Sequence, residues 1–176
     1  MQATRRRTRA TSAARPNRPN RTQQVSRRGA ALVEFAIMTP LFVLLIMGTM
    51  EAGNSLELGM QLTAAVREGG RLASMDWQET VPNGMTANEK VAQDIRNFLT
   101  ATGVPGEQVE IAITSAEGSD AGQPFDLSDP NNRLRLFEIS ASIPYSAYNA
   151  APATFMAGKT VSTSTVFRNS SAILTQ

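Results

Sequence analysis

The sequence predicts an α+β protein: a long N-terminal membrane-spanning helix, then a small domain of one helix and a three-stranded antiparallel sheet. Three observations carry this prediction. Residues 30–50 form a 21-residue run whose single charge is Glu34, and about 20 apolar residues span a hydrocarbon core of roughly 30 Å. Beyond the run, Leu58, Leu62, Ala65, Gly69 and Leu72 recur at helical spacing, while Gln61, Arg67, Glu68 and Arg71 fall off that stripe. Three later segments combine β-branched residues with alternation and read as strands.

The helix is expected from about Gly29 to Ser74, its first part in lipid and its second part packed on the domain. Pro40 lies inside the apolar run. It removes one backbone hydrogen bond, which membrane helices tolerate better than soluble ones. Gly53, Gly59, Gly69 and Gly70 each weaken the helix by about 1 kcal/mol relative to alanine, and such small residues permit close approach between helices. A secretory signal peptide is the competing reading of the N-terminus. The run exceeds the usual 7–15 residue apolar region, and the Thr49–Gly53 exit has only a weak small-x-small pattern.

Residues 76–85 read as a loop, with Pro82, Asn83 and Gly84 as turn signals. Thr86-Ala87-Asn88-Glu89 has the form of a capping box. A helix follows to about Ala101, with Val91, Ile95, Phe98 and Leu99 on one face and Gly103 at its C′ position. Val109, Ile111 and Ile113 alternate with polar residues in a first strand. Residues 116–132 are rich in Gly, Ser, Asp, Pro and Asn and read as a solvated loop. Asp120, Asp126 and Asp129 lack the ordered spacing of a calcium loop. Residues 133–145 form the longest strand candidate, with Phe137, Ile139, Ala141 and Ile143 on one face. Leu134 and Leu136 sit on the other face, a switch that indicates a twist, a bulge or an end packed on both sides. Pro144 ends the pairing or marks an edge. Residues 146–158 connect to a last strand at 160–167, and 169–176 form a frayed tail. The sheet is expected to bury Val109, Ile111, Ile113, Ile139 and Ile143 against both helices.

Charge is sharply partitioned. Residues 1–29 hold nine arginines and no lysine or acid, whereas residues 30–176 hold eight Lys/Arg against fifteen Asp/Glu, a net of −7. A basic arm can bind nucleic acid. This one abuts an apolar run, as cytoplasmic flanks do under the positive-inside rule, so no nucleic-acid partner is expected. Its polar composition offers little surface to bury. The expectation is a disordered cytoplasmic leader over 1–29, an anchor and extended helix over 30–75, and an extracytoplasmic domain over 76–168. The chain has no cysteine and no histidine, which excludes disulfides, thiolate chemistry and His-ligated metals. No spacing singles out a carboxylate pair, so no catalytic residue, cofactor or metal site is expected.

The junction Arg27-Arg28-Gly29-Ala30-Ala31-Leu32-Val33-Glu34-Phe35 resembles the cleavage site of type IV prepilins. There a membrane-embedded peptidase cuts after the glycine, and a glutamate stands fifth in the product. An ionised carboxylate in lipid is costly and marks a functional position. With Met50-Glu51-Ala52-Gly53 at the membrane exit, Ala64-Ala65-Val66-Arg67-Glu68-Gly69-Gly70-Arg71, and Ile143-Pro144-Tyr145, the chain resembles TadE-like minor pseudopilins of the tight-adherence (Tad, or Flp) type IVb pilus system. Val66 and Gly70 depart from that family's Ala-Arg-Glu-Gly-Ala-Arg signature. The resemblance implies a non-enzymatic role in pilus biogenesis, adherence and biofilm formation. It implies processing at Gly29 and Ala30, assembly contacts at Glu34 and Phe35, and as partners a prepilin peptidase, the pilus machinery with other pilins or pseudopilins, and the lipid bilayer of the inner membrane. Two other readings stand beside it: an uncleaved single-pass protein presenting an outer binding domain, and an anchored hydrolase using carboxylates.

Overall fold

The computed structural model describes residues 21–74, 81–82, 84–149 and 155–170. Expectations for residues 1–20, 75–80, 83, 150–154 and 171–176 lie outside the described residues.

Helix α1 runs unbroken from Arg21 to Ala73. It begins before the expected start at Gly29, because residues 21–28 contain neither glycine nor proline and favour continuation of the helix. It also passes through Pro40. Thr39 Oγ1 donates to the Phe35 carbonyl at 2.7 Å, and Thr49 Oγ1 to the Ile46 carbonyl at 2.8 Å. Hydroxyls bonded back to their own helix carry no unsatisfied polar group into lipid. The chain comprises two compact units, one ending at Leu44 and one beginning at Leu45. In the first, the apolar side chains from Leu32 to Leu44 are exposed.

The second unit holds the core, to which α1 contributes fully buried Leu58, Leu62, Ala65, Val66 and Ala73. Leu72 is only half-buried, so the stripe's end turns through Ala73 instead. Helix α2, Ala87–Ala101, opens on the expected capping box: Glu89 N–H donates to Thr86 Oγ1 at 3.2 Å, and Thr86 N–H to Glu89 Oε2 at 2.8 Å. It closes on Gly103 at φ +90°, with Val104 N–H on the Leu99 carbonyl and Gly103 N–H on the Thr100 carbonyl. That pair of bonds is a Schellman motif. Ala87, Val91, Ile95 and Leu99 are buried. Phe98 is 37% exposed, because the i, i+4 row through Leu99 takes the centre of the face and leaves Phe98 at its rim.

Strands β1 (Glu110–Ser115), β2 (Leu136–Pro144) and β3 (Thr160–Arg168) form one antiparallel sheet in the order β1-β2-β3. Ile139 is opposite both Ile113 and Thr165. Central β2 alternates as expected, with Phe137, Ile139, Ala141 and Ile143 fully buried. A one-turn helix, α3 (Tyr145–Tyr148), follows Pro144 directly. Strand β3 runs in the same direction as α1: Thr63 Oγ1 lies 3.1 Å from Thr163 Oγ1, Gly70 faces Phe167, and Ser170 Oγ donates to the Ser74 carbonyl.

The 116–132 segment is not simply solvated. Phe125 and Leu127 are buried, and the Phe125 ring stacks on Phe137 at 5.4 Å. Phe125 N–H donates to the Ile113 carbonyl, which covers part of the outer edge of β1. Asn88 holds the segment on α2, donating to the Phe125 carbonyl at 2.6 Å and accepting from Leu127 N–H at 3.0 Å. Polar composition hides these two apolar anchors. The face switch near Leu136 is a bulge. Leu134 and Arg135 together oppose Asn169: Leu134 N–H donates to the Asn169 carbonyl at 2.7 Å, and Asn169 N–H to the Arg135 carbonyl at 3.0 Å. Leu134 sits there at φ +60°, the conformation that a bulge of this kind usually assigns to glycine.

Two stability predictions follow from this packing. A Cβ at Gly69 would lie 2.3 Å from Ile95 Cγ1, whereas nothing lies within 4 Å of one at Gly53. Ile95 is buried and cannot yield, so Gly69→Ala should cost about 1–3 kcal/mol through overpacking. Gly53→Ala should gain up to about 1 kcal/mol in helix propensity. Leu134 is 66% exposed, so Leu134→Gly loses little burial and relieves about 1 kcal/mol of left-handed strain. Unfolding of the detergent-solubilised chain should therefore show opposite signs for Gly69→Ala and the other two variants.

Candidate functional site

The four residues expected to act in processing and assembly lie on the lipid-type stretch of α1. Gly29 and Ala30 are exposed within the continuous helix, and a Cβ at Gly29 would touch nothing within 4 Å. Glu34 is exposed, and Phe35 beside it is exposed as well. Among the described residues Glu34 has no hydrogen-bond or ion-pair partner. The structure thus places these four residues along one exposed stretch of helix.

Glu51 is treated in the opposite way. It ends the apolar run, yet it is only 8% exposed. Its carboxylate accepts from Phe155 N–H at 2.9 Å and from Met156 N–H at 3.1 Å. The Tyr145 hydroxyl, on a fully buried ring, donates to the Glu51 carbonyl at 3.4 Å. One carboxylate therefore ties helix α1 to the turn before β3, while α3 supplies a tyrosine against the same helix turn. Hydrogen bonds from two N–H groups offset the cost of placing a carboxylate against an apolar surface. Sequence reasoning gave Glu51 no such role. The signal was available: counting back seven residues from Leu58 continues the buried stripe to Glu51, and three more reach Gly48.

The Ala64–Arg71 signature is a packing device with a charged rim. Gly69 lies against Ile95 of α2, and Gly70 against the Phe167 ring of β3, where any Cβ would collide. Val66, a departure from the family signature, is fully buried. Arg67 is exposed. Glu68 pairs not with its neighbour but with Arg71, one turn on, through both carboxylate oxygens. The Arg71 guanidinium holds the Glu68 carboxyl below its usual range, and as an exposed i, i+3 pair it contributes little to stability. Beside this segment an open groove of about 700 Å³ is lined by Leu56, Met60 and Thr63 of α1 and by Val161 and Thr163 of β3.

The three aspartates of the 116–132 segment are occupied locally. Asp120 pairs with Arg135, which lowers its pKa. Asp126 accepts from Ser128 N–H, and Asp129 from Asn131 N–H and Nδ2. Among the described residues no group of three or more carboxylates is placed to hold a metal.

Removing the Glu51 carboxylate strands two backbone donors. Glu51→Ala should destabilise the folded chain by about 1–3 kcal/mol, the cost of buried donors left unpaired. Glu57→Ala, one and a half turns on and exposed, should stay within about 0.5 kcal/mol of the parent. Equal effects of the two substitutions on unfolding would contradict the clasp.

Helix α1 is long and apolar enough to cross a membrane between Gly29 and Ala73, which fits a single-pass membrane protein. No curated protein and no solved structure matches the chain. Residues 29–71, from the first glycine of the junction through the whole packed signature, match the model of a family of pilus components, the TadE-like proteins.

Proposed function

We propose that this chain is a minor pseudopilin of a Tad-type pilus, held in the inner membrane by one helix and acting without catalysis in pilus biogenesis, adherence and biofilm formation. The observation that carries the reading is the TadE-like match over residues 29–71. It coincides with the part of α1 that joins an exposed apolar stretch to a stripe built into the core. A prepilin peptidase cuts between Gly29 and Ala30. The nine arginines of the leader keep the N-terminal side cytoplasmic, and the α+β domain lies on the far side. Cleavage frees the α-ammonium of Ala30. The corresponding ammonium of a neighbouring pilin meets Glu34, which has no partner among the described residues of its own chain, and Phe35 packs beside that pair. Opposite charges in lipid attract strongly and also lose hydration, so the pair acts chiefly to fix register.

One observation favours the alternative of an uncleaved single-pass protein that presents its outer domain to a partner. The helix is continuous from Arg21 across the Gly29–Ala30 junction, whereas a peptidase needs that backbone unwound. The N-terminal mass of the membrane-extracted protein separates the two readings. Mature protein should begin at Ala30, and Gly29→Leu should leave full-length precursor. Glu34→Ala should insert and be cut normally yet enter pili poorly. An intact N-terminus in the parent would overturn the processed reading, and normal incorporation of Glu34→Ala would overturn the role of the carboxylate.

A further inference from the structure

Phe155 occupies an unusual place. Its ring lies on Gly48, where a Cβ would sit 3.4 Å from Phe155 Cε2, and Gly48 is inside the apolar run that ends at Met50. The ring is nevertheless 52% exposed. On the same face of α1, one turn before Gly48, Leu44 and Leu45 are exposed too. A large aromatic side chain left open beside an apolar helix face makes a patch that water does not favour.

The turn cannot drift from this position. Glu51 holds the N–H groups of Phe155 and Met156, and Lys159 N–H closes the turn on the Met156 carbonyl at 3.1 Å. Gly158, at φ +70°, allows the reversal. Tyr145 N–H then donates to the Lys159 carbonyl at 2.9 Å, fixing the turn to α3. The same bonds occupy both oxygens of Glu51, so its charge is withheld from the surface on which Phe155 lies. Lys159, the next residue after the turn, is exposed.

We propose that the turn Phe155–Gly158 is a second membrane contact. Phe155 seats among the outer acyl chains at the level of Gly48, and Lys159 reaches the lipid phosphates. The occupant is lipid because the patch is continuous with the apolar face of the same helix that the single-span reading already places in the bilayer. An apolar ring that enters the acyl boundary and a lysine whose stem reaches outward to the headgroups are the pairing that surface-bound membrane segments use. The contact sets how far the domain stands from the membrane. The proposal rests on the span over residues 30–50, and it is independent of whether the leader is cut.

The test places a single tryptophan in the full-length chain, after the one native tryptophan is removed by Trp77→Phe. Three variants carry it: Phe155→Trp, Leu41→Trp within the run, and Val166→Trp on the exposed face of β3. Each is reconstituted into phosphatidylcholine vesicles without bromine, or with it either on the acyl carbons nearest the headgroup, which report on Phe155→Trp and Val166→Trp, or at mid-chain, which reports on Leu41→Trp at the centre of the span. Bromolipid should at least halve the fluorescence of Phe155→Trp and of Leu41→Trp and leave Val166→Trp unchanged. Quenching at Leu41→Trp without quenching at Phe155→Trp would overturn the contact and leave the span intact, as when the turn faces water or another protein. No quenching at either position would overturn the span and the contact together. Adding Glu51→Ala to Phe155→Trp should reduce the quenching by releasing the turn.

Discussion

The structure depends on one helix serving two surroundings. Helix α1 must present apolar side chains outward over its first part and inward over its second, without a break in the helix. Lipid accepts a helix because every backbone group is satisfied within it. A protein core accepts it only if one face fits its neighbours. Glu51 stands where the demand changes. There the exposed run ends, the buried stripe begins, and the rest of the domain first takes hold of the helix by hydrogen bonds. The order of the later elements follows from that anchor. Residues 155–156 are tied to Glu51, and β3 then runs alongside α1 toward Ser74.

Close approach is the second requirement. The sheet and α2 both pack on α1, on neighbouring lines of its surface. Gly69 admits the Ile95 side chain and Gly70 the Phe167 ring, so adjacent residues serve two different neighbours. Helical geometry makes this possible, since successive residues point about 100° apart. Glycine costs helix stability at each position, and burial of Ile95 and Leu62 offsets it. The glycines, read as permitting close approach between helices, are therefore shared between a helix and a sheet. The family match ends at residue 71, just after this glycine pair, which marks the packed signature as part of what the matched segment encodes.

Local chemistry was readable in the sequence wherever neighbours in the chain decide the structure. The capping box at Thr86, the Schellman turn at Gly103 and the alternation of β2 all depend on residues within a few positions of each other. The features that escaped depend on distant partners. Phe125 and Leu127 sit in a stretch whose polar composition reads as a surface loop, and only the nearby side chain of Asn88 shows how it is pinned. Leu134 adopts a glycine-like conformation because Asn169 faces two residues at once. Glu51 read as an exit residue because its partners lie 104 and 105 positions away. At the candidate assembly site, the sequence marks Glu34 as the one charge of the apolar run. It could not show that Glu51, so near in the chain, is satisfied differently.

These two carboxylates define what the helix leaves to other molecules. Both lie on one helix, at or within an apolar run, where an unpaired charge is costly. The chain solves the problem for Glu51 by itself, with two backbone donors, so that residue is structural. Among the described residues it offers no partner to Glu34, whose neighbours on α1 are apolar. A group that the fold leaves unsatisfied in lipid is stable only when another molecule completes it, or when the helix leaves the bilayer. On the proposed reading both occur together: a neighbouring pilin supplies the cation as the helix enters a filament. Glu51 would make that transfer with its clasp intact, because its donors belong to its own chain and travel with it.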